Sequence, residues 1–325
     1  MKSRLGALLV ALLVSISTTL PAVAQDPLPR VAVAYDIGFL GDNSFNDAVN
    51  VALAKAKKKY GLVEPFVREV PTDGSAVDRL SRIRFLAKNG YTLVIAVGPG
   101  YRETIRRVSM EYPEVQFAII NDKSLGQMNI SNIYFNESDG AYLAGVAAAS
   151  NSKRLSIGFV GSEPDLLASF TKGARATAKR ISIVNIPFPD ELSSLEKALK
   201  KVDVIYSTWD GDSSVLSTVL NKFSGKVRVI AETPDQYFAS VPGAQKALLV
   251  TINKDLTKPI DELVSAALES RAIIDVVDEK NGIYGREYSI KNSGVALRFI
   301  APSAKTAMVR SAISAIKAGK VSTTP

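Results

Sequence analysis

The strongest constraint in this chain is an alternation that occurs twice. Short apolar runs, "RVAVAY" (30–35), "PFVREV" (65–70), "TLVIAVG" (92–98) and "VQFAII" (115–120), alternate with segments whose apolar residues recur at helical spacing. Such runs suit strands buried on both faces, and strands separated by helices suit a parallel sheet. After the first run, Val49, Ala52, Leu53 and Ala56 follow at i, i+3, i+4 and i+7 up to Gly61, with Ser44-Phe45-Asn46-Asp47 fitting a capping box ahead of them. "AVDRLSRIRFLAKNG" repeats the helical pattern with a glycine stop, and "RETIRRVSMEY" ends at Pro113. The order resumes at "LSIGFVG" (155–161) and continues through "SIVNIPF", "DVIYSTW" and "VRVIAE", with helices predicted over 166–178, 193–202 and 213–223. Two series of similar size predict an α/β protein of two Rossmann-like lobes with mostly parallel sheets, 25–150 and 151–253. The later runs "ALLVTIN", "REYSI" and "GVALRFI" need a sheet to join. About 254–275 is expected to complete the first lobe and about 283–325 the second. The chain then crosses between lobes several times, which makes a hinge.

In open parallel sheets, ligands lie beyond the carboxyl ends of the strands. The segment "AYDIGFLGDNSFNDA" (34–48) holds that position and crowds Asp36, Asp42, Asn43, Asn46 and Asp47 together with Phe39 and Phe45. Gly98 to Tyr101, Asn121-Asp122, Trp209-Asp210-Gly211 and Thr233 to Gln236 hold it on other strands. Acids and amides there can hold hydroxyls and ring nitrogens, and aromatic rings can sandwich a flat group. Each residue also has a structural reading. Asp36 can cap a turn, Asn46 can belong to a first helical turn, Asp122 can be a turn acid and Lys254 a surface lysine. Trp209 and Phe188 can be core residues. "DNSFND" and "DGD" lack the twelve-residue calcium-loop spacing, so no metal site is expected.

The chain of 325 residues has neither cysteine nor histidine. Disulfides, thiolate metal sites, Ser-His-Asp triads and imidazole bases are therefore excluded. No G-x-G-x-x-G follows the first strand and no G-x-x-x-x-G-K-[ST] occurs, so no nucleotide cofactor is expected. Residues 1–24, "MKSRLGALLVALLVSISTTLPAVA", have the basic, apolar and A-x-A parts of an export signal. Cleavage is expected after Ala24, the alternative being an uncleaved anchor. Without cysteine, a lipoprotein is not expected. The protein is expected to be exported, to a periplasm or the cell envelope and beyond. Net charge is +8, and loss of Lys2 and Arg4 with the leader leaves +6. Lys55 and Lys57 to Lys59, then Arg102, Arg106 and Arg107, then Lys197, Lys200 and Lys201 lie on separate predicted helices without interleaved aromatics. That distribution reads as solvated helix faces rather than a nucleic-acid surface.

Taken together, these segments resemble the basic membrane protein family, whose type I periplasmic-binding-protein folds serve ABC importers and include purine nucleoside receptors. The resemblance rests on "AYDIGFLGDNSFNDA", "EYPEVQFAIIND", "NISNIYFNESDGAYLAGVAAA", "IGFVGSEPDLLASFTKG", "DVIYSTWDGDSS", "PDQ" and "LVTINK", in the family's order. It covers nearly all of the chain after the leader, and "AYLAGVAAA" with "IGFVG" is its most specific part. It implies a non-enzymatic binding protein that captures a nucleoside-like solute between its lobes and delivers it to an ABC permease and its ATPase. Asp36 and Asn46 match the acid and the Asn of the first signature, and Asn121 or Asp122 matches the acid after "VQFAII". Lys254 matches the lysine after the crossing strand, Gly211 falls in a glycine-containing loop, and Phe39 and Phe188 match stacking positions. Thr233 stands where relatives place an acid for ribose hydroxyls, with Glu232 beside it, and Trp209 replaces a small residue. A purine nucleoside is what the family resemblance implies, and these departures leave a changed base or sugar preference as the alternative. A carboxylate-dependent nucleosidase-like enzyme and a surface sensor or adhesin are the alternatives.

Overall fold

The computed structural model describes residues 29–42, 44–187, 192–208, 214–233, 241 and 243–324. The expected leader and the candidate residues Phe188, Trp209 and Gly211 lie outside the described residues. The first series runs β1 (Val31–Ala34), α1 (Phe45–Tyr60), β2 (Val67–Val70), α2 (Ala76–Lys88), β3 (Leu93–Val97), α3 (Arg102–Glu111), β4 (Gln116–Ile120) and β5 (Ile130–Phe135). The second opens with α4 (Glu137–Asn151), β6 (Ser156–Val160), α5 (Pro164–Thr177), β7 (Ser182–Ile186) and α6 (Leu192–Leu199). It continues through β8 (Val204–Ser207), α7 (Ser214–Lys222), β9 (Arg228–Thr233), α8 (Ala244–Ala247) and β10 (Leu248–Lys254). The chain returns as α9 (Thr257–Leu268), β11 (Asp275–Asp278), β12 (Ile283–Tyr288), β13 (Val295–Phe299) and α10 (Ala307–Lys317).

Among the described residues these strands form two sheets, ordered β11-β12-β5-β4-β3-β1-β2 and β13-β10-β9-β8-β6-β7. Only the edge strands β11 and β13 run antiparallel to their neighbours. The apolar runs at the centre of each sheet are buried on both faces as a covered parallel sheet requires, with Val31 to Ala34 wholly inaccessible, whereas the edge strands β2 and β7 are partly exposed. In both sheets the chain winds outward in two directions from its first strand. The direction reverses between β1 and β3 in one lobe and between β6 and β8 in the other, and a crevice opens at the carboxyl ends there.

The helix α4 is apolar on all sides because it is enclosed on all sides, by the second sheet, α5 and α10. A Cβ on Gly145 would stand 2.0 Å from the Phe170 carbonyl, and one on Gly173 the same distance from that of Tyr142, so the two helices touch backbone to backbone. This contact is the physical content of "AYLAGVAAA".

Among the described residues three segments cross between the lobes: Asn136, Asp255-Leu256 and Ser289 to Gly294. Buried Asp139 joins the first of these to the third, donating its N–H to Asn136 Oδ1 at 3.1 Å and accepting from Ile290 N at 3.0 Å, and it also accepts from Thr323 Oγ1 at 2.6 Å. The expectation that 283–325 completes the second lobe is corrected for β12, which extends the first sheet alongside β5. The reason lies in α9. Its Glu262 accepts from Tyr288 Oη at 2.5 Å and from Arg286 Nη1 at 3.1 Å, and α9 itself packs on α1 of the first lobe. The helix cap of α1 also differs from expectation. Ser44 makes no side-chain cap bond; Asp42 instead accepts from the N–H groups of Ser44, Asn46 and Asp47, a carboxylate being the stronger acceptor.

Candidate functional site

At the first crevice the chain leaves β1 at Tyr35 and turns under a clasp made by Asn46. Its Oδ1 accepts from Asp36 N at 3.1 Å, and its Nδ2 donates to the carbonyls of Asp36 and Ile37 at 3.2 and 3.3 Å. Both polar atoms of this buried amide are engaged in shaping the loop. Asp36, so positioned, accepts on Oδ1 from Arg79 Nη2 at 2.5 Å and from Ile37 N at 2.9 Å. Its Oδ2 lies over the loop after β3, where a Cβ on Gly100 would come within 2.5 Å of it. Arg79 is carried by α2, anchored to Gly74 O at 2.8 Å, with its guanidinium 5.4 Å from the centre of the Tyr101 ring. Burial, and after it the Asp36 carboxylate, push the Tyr101 hydroxyl far above its ordinary range, so it stays a neutral donor to Tyr35 O at 2.9 Å. Phe39, half-buried and at φ 48°, meets the Tyr35 ring edge-on at 5.4 Å.

Beyond β4, Asn121 sits in the left-handed region at φ 62° and Asp122 is buried. Asp122 accepts from Arg102 Nε and Nη2 at 2.8 and 2.5 Å and from Ser124 Oγ at 2.6 Å. A cavity of about 530 Å³ lies here, walled by Arg102, Asn121 and Asp122 of the first lobe and Glu163, Asp165 and Leu166 of the second. The strand ends of the two sheets therefore face one another across a cleft.

The second wall is built differently. At its crevice a Cβ on Gly161 would fall 2.2 Å from Thr208 Oγ1, which donates to Glu163 Oε2 at 2.9 Å. Farther along, Lys254 at the end of β10 is almost wholly buried. Its ammonium lies 2.6 Å from Glu137 Oε1 and 3.2 Å from Glu232 Oε2, and 5.8 Å from the centre of the Phe45 ring in the opposite lobe. Tyr206 Oη donates to the other oxygen of Glu232. Thr233 donates to Asn253 Oδ1 at 2.7 Å and so faces along the sheet.

The family model described as ABC transporter substrate-binding protein PnrA-like matches residues 29–275. The chain belongs to this Bmp family. A family relative from Lactococcus lactis, the "ABC transporter nucleoside-binding protein BmpA", is 26% identical over 293 residues, 82% of this chain and 81% of that protein. A CD4+ T-cell-stimulating antigen of Listeria monocytogenes is 28% identical over 190 residues, 55% of this chain. That match spans about half the length of the Listeria protein, 51%. The fold is shared with solved structures of a transcriptional activator of the comK gene from Bacillus halodurans and an ABC transporter solute-binding protein from Aeropyrum pernix. Their TM-scores are 0.70 and 0.66 and their identities 18% and 16%; each alignment covers 90% of this chain, with 99% and 92% of the respective structures. This Bmp chain thus has the two-lobed architecture of solute-binding proteins.

Of the residues singled out in the sequence, the structure gathers Asp36 and Phe39 of the loop after β1 with Asn46 of the first turn of α1, with Asn121 and Asp122 at a neighbouring strand end and Thr233 and Lys254 on the facing lobe. Sequence reasoning missed Arg79, Arg102 and Glu137. Each lies in the first turns of a helix, where its spacing is that of an ordinary solvated face, and only the fold aims it at a carboxylate or at Lys254. Among the described residues no group of three or more acids is placed to hold a metal ion.

Proposed function

We propose that this Bmp-family protein captures a nucleoside-like solute outside the cytoplasm and hands it to the permease and ATPase of an ABC importer, without transforming it. The observation that carries the reading is the cleft itself: strand-end residues Asn121 and Asp122 of the first lobe and Glu163 and Asp165 of the second wall one cavity, with Glu137 at its side. Hydroxyls and ring nitrogens offer the donors and acceptors that such walls match. The near-full-length similarity to a relative named for nucleoside binding supports the same ligand class. Asp36 and Asn121 are assigned direct polar contacts, Phe39 with Phe188 and Trp209 the flat faces, and Gly211 and Thr233 the rim. Asn46, Asp122 and Lys254, whose polar atoms are engaged within the protein, hold the two walls in shape. The absence of histidine and cysteine from the sequence leaves only shifted carboxyls or lysines for proton transfer, which favours binding over catalysis.

A thermal-shift panel of nucleosides, bases and sugars tests this reading, since a ligand that binds only the folded state raises the melting temperature. A purine or pyrimidine nucleoside is expected to give the largest rise, and Asp36→Ala to weaken its binding roughly five- to 150-fold. A panel in which nucleosides leave the melting temperature unchanged while another solute class raises it rejects the nucleoside assignment. Chromatography showing steady conversion of the bound solute, lost in Asp36→Asn, rejects the non-enzymatic one.

A further inference from the structure

The end of the second sheet opposite the cleft carries an unbalanced charge. In-register pairing of Ser156 with Ser182, Ile157 with Val204 and Val204 with Arg228 brings the loops that enter β6, β7, β8 and β9 to one edge. These loops contain Lys153-Arg154, Lys179-Arg180, Lys200-Lys201 and Lys226, all exposed. Their one acid, Asp203, is engaged inward, accepting from Ser152 Oγ at 2.6 Å and from the N–H groups of Lys153 and Arg154 at 2.7 and 2.9 Å. Among these residues lies a groove of about 390 Å³, rimmed by Arg154, Lys200 and Lys226 and by Lys222, which is paired with Glu196, over a floor that includes Val202 and Phe223. In the first lobe the entry to β1 carries one basic residue, the half-buried Arg30, which is spent on the carbonyls of Pro65 and Asn89, and the loops 61–66, 89–92 and 112–115 hold no basic residue and two exposed acids, Glu64 and Glu114. The helix dipole favours cations at helix ends in both lobes alike, so it does not account for the difference.

A second observation concerns Leu155, in the middle of this edge. Its side chain is 51% exposed and its backbone is held at φ 51°, an uncommon conformation for a leucine. An exposed apolar side chain ringed by cations is matched by a surface that is anionic outside and apolar beneath. The exposed residues of these loops include no aromatic ring on which a nucleobase could stack. The chain also has no cysteine for lipid attachment.

We propose that this basic pole of the second lobe docks the protein on an anionic phospholipid surface, with the cations on the phosphates and Leu155 entering the headgroup boundary. Co-sedimentation of the full chain with phosphatidylcholine vesicles, with and without phosphatidylglycerol, tests it. Binding is expected only with phosphatidylglycerol and should fall as salt rises. Lys200→Ser/Lys201→Ser should weaken it roughly 30-fold, about fivefold per charge. Lys88→Ser/Lys280→Ser, an equal charge change on exposed residues of the first lobe, should leave it near wild type, and Leu155→Ser should weaken it at unchanged charge. Equal losses in the two double variants, binding insensitive to salt, or an inert Leu155→Ser would overturn the proposal. So would binding to duplex DNA without binding to vesicles, which would make the pole a nucleic-acid surface.

Discussion

The two lobes share one winding order and differ at both ends of their sheets. On the cleft side, the first lobe matches each carboxylate with an arginine from a neighbouring helix, Asp36 with Arg79 and Asp122 with Arg102, and the pairs remain partly open to water. The second lobe buries one lysine against two glutamates, with Lys254 and Glu232 both nearly inaccessible. On the far side, the first lobe is sparsely charged at its strand entrances and the second strongly basic. Topology therefore determines where a ligand or partner can meet the protein, and the residues at each edge determine what chemistry it meets.

The contrast between the walls breaks most readily at Lys254. Removing one partner of a buried, paired charge costs about 3 to 5 kcal/mol, because the remaining carboxylates are left without compensation. Lys254→Met is expected to lower unfolding stability by that amount in urea titration, and Lys254→Met/Glu232→Gln to recover part of it. A loss below about 1 kcal/mol would mean the second wall is no more buried energetically than the first.

Arg79→Met probes the other wall and should cost less, about 1 to 2 kcal/mol, since water can replace the guanidinium at the half-exposed Asp36. Its effect on solute affinity should exceed its effect on stability, because Asp36 loses the contact that orients Oδ2. Calorimetry on a folded Arg79→Met that finds wild-type affinity would remove Arg79 from the positioning of Asp36.

The smallest expected effect sharpens the comparison by pH. Burial works against ionisation of Glu69, yet the Tyr35 hydroxyl, the Lys57 ammonium and the Asn50 amide outweigh it and hold the carboxyl below its ordinary value. A lowered folded pKa contributes stability that is fully present above the unfolded value near 4.3 and is lost as pH falls through the folded one. Wild type should therefore exceed Glu69→Gln by about 1 kcal/mol at neutral pH, and the gap should close on acidification. A gap that widens in acid would reverse the assigned sign.

Much of this was legible in the sequence. The apolar runs gave the core strands because a strand covered on both faces has no polar position to hide, and β1, β3, β4 and β6 lie within a residue or two of their apolar runs. Two strands were not legible for the converse reason. β5 reads "ISNIYF", with Asn132 fully buried because its amide bonds Leu125 and Tyr284, and β11 reads "DVVD" on an exposed edge. The loop of Asp36 and Asn46 was found by its density of acids and amides. Its division of labour was not, since nothing local tells a clasping Asn from one that meets solute.

The sequence by itself determined the α/β class, the doubling into two lobes, the exclusion of histidine and cysteine chemistry and the strand ends on which to look. These follow from periodicity and composition, which act over a few residues at a time. The tertiary structure alone decided that β12 joins the first lobe, that Arg79 meets Asp36 across 43 positions of chain, and that Glu137 meets Lys254 across 117. It also decided that basic residues scattered from Lys153 to Lys226 share one edge. Charges attract through space and strands pair by register, and neither separation in space nor register is written in the spacing along the chain.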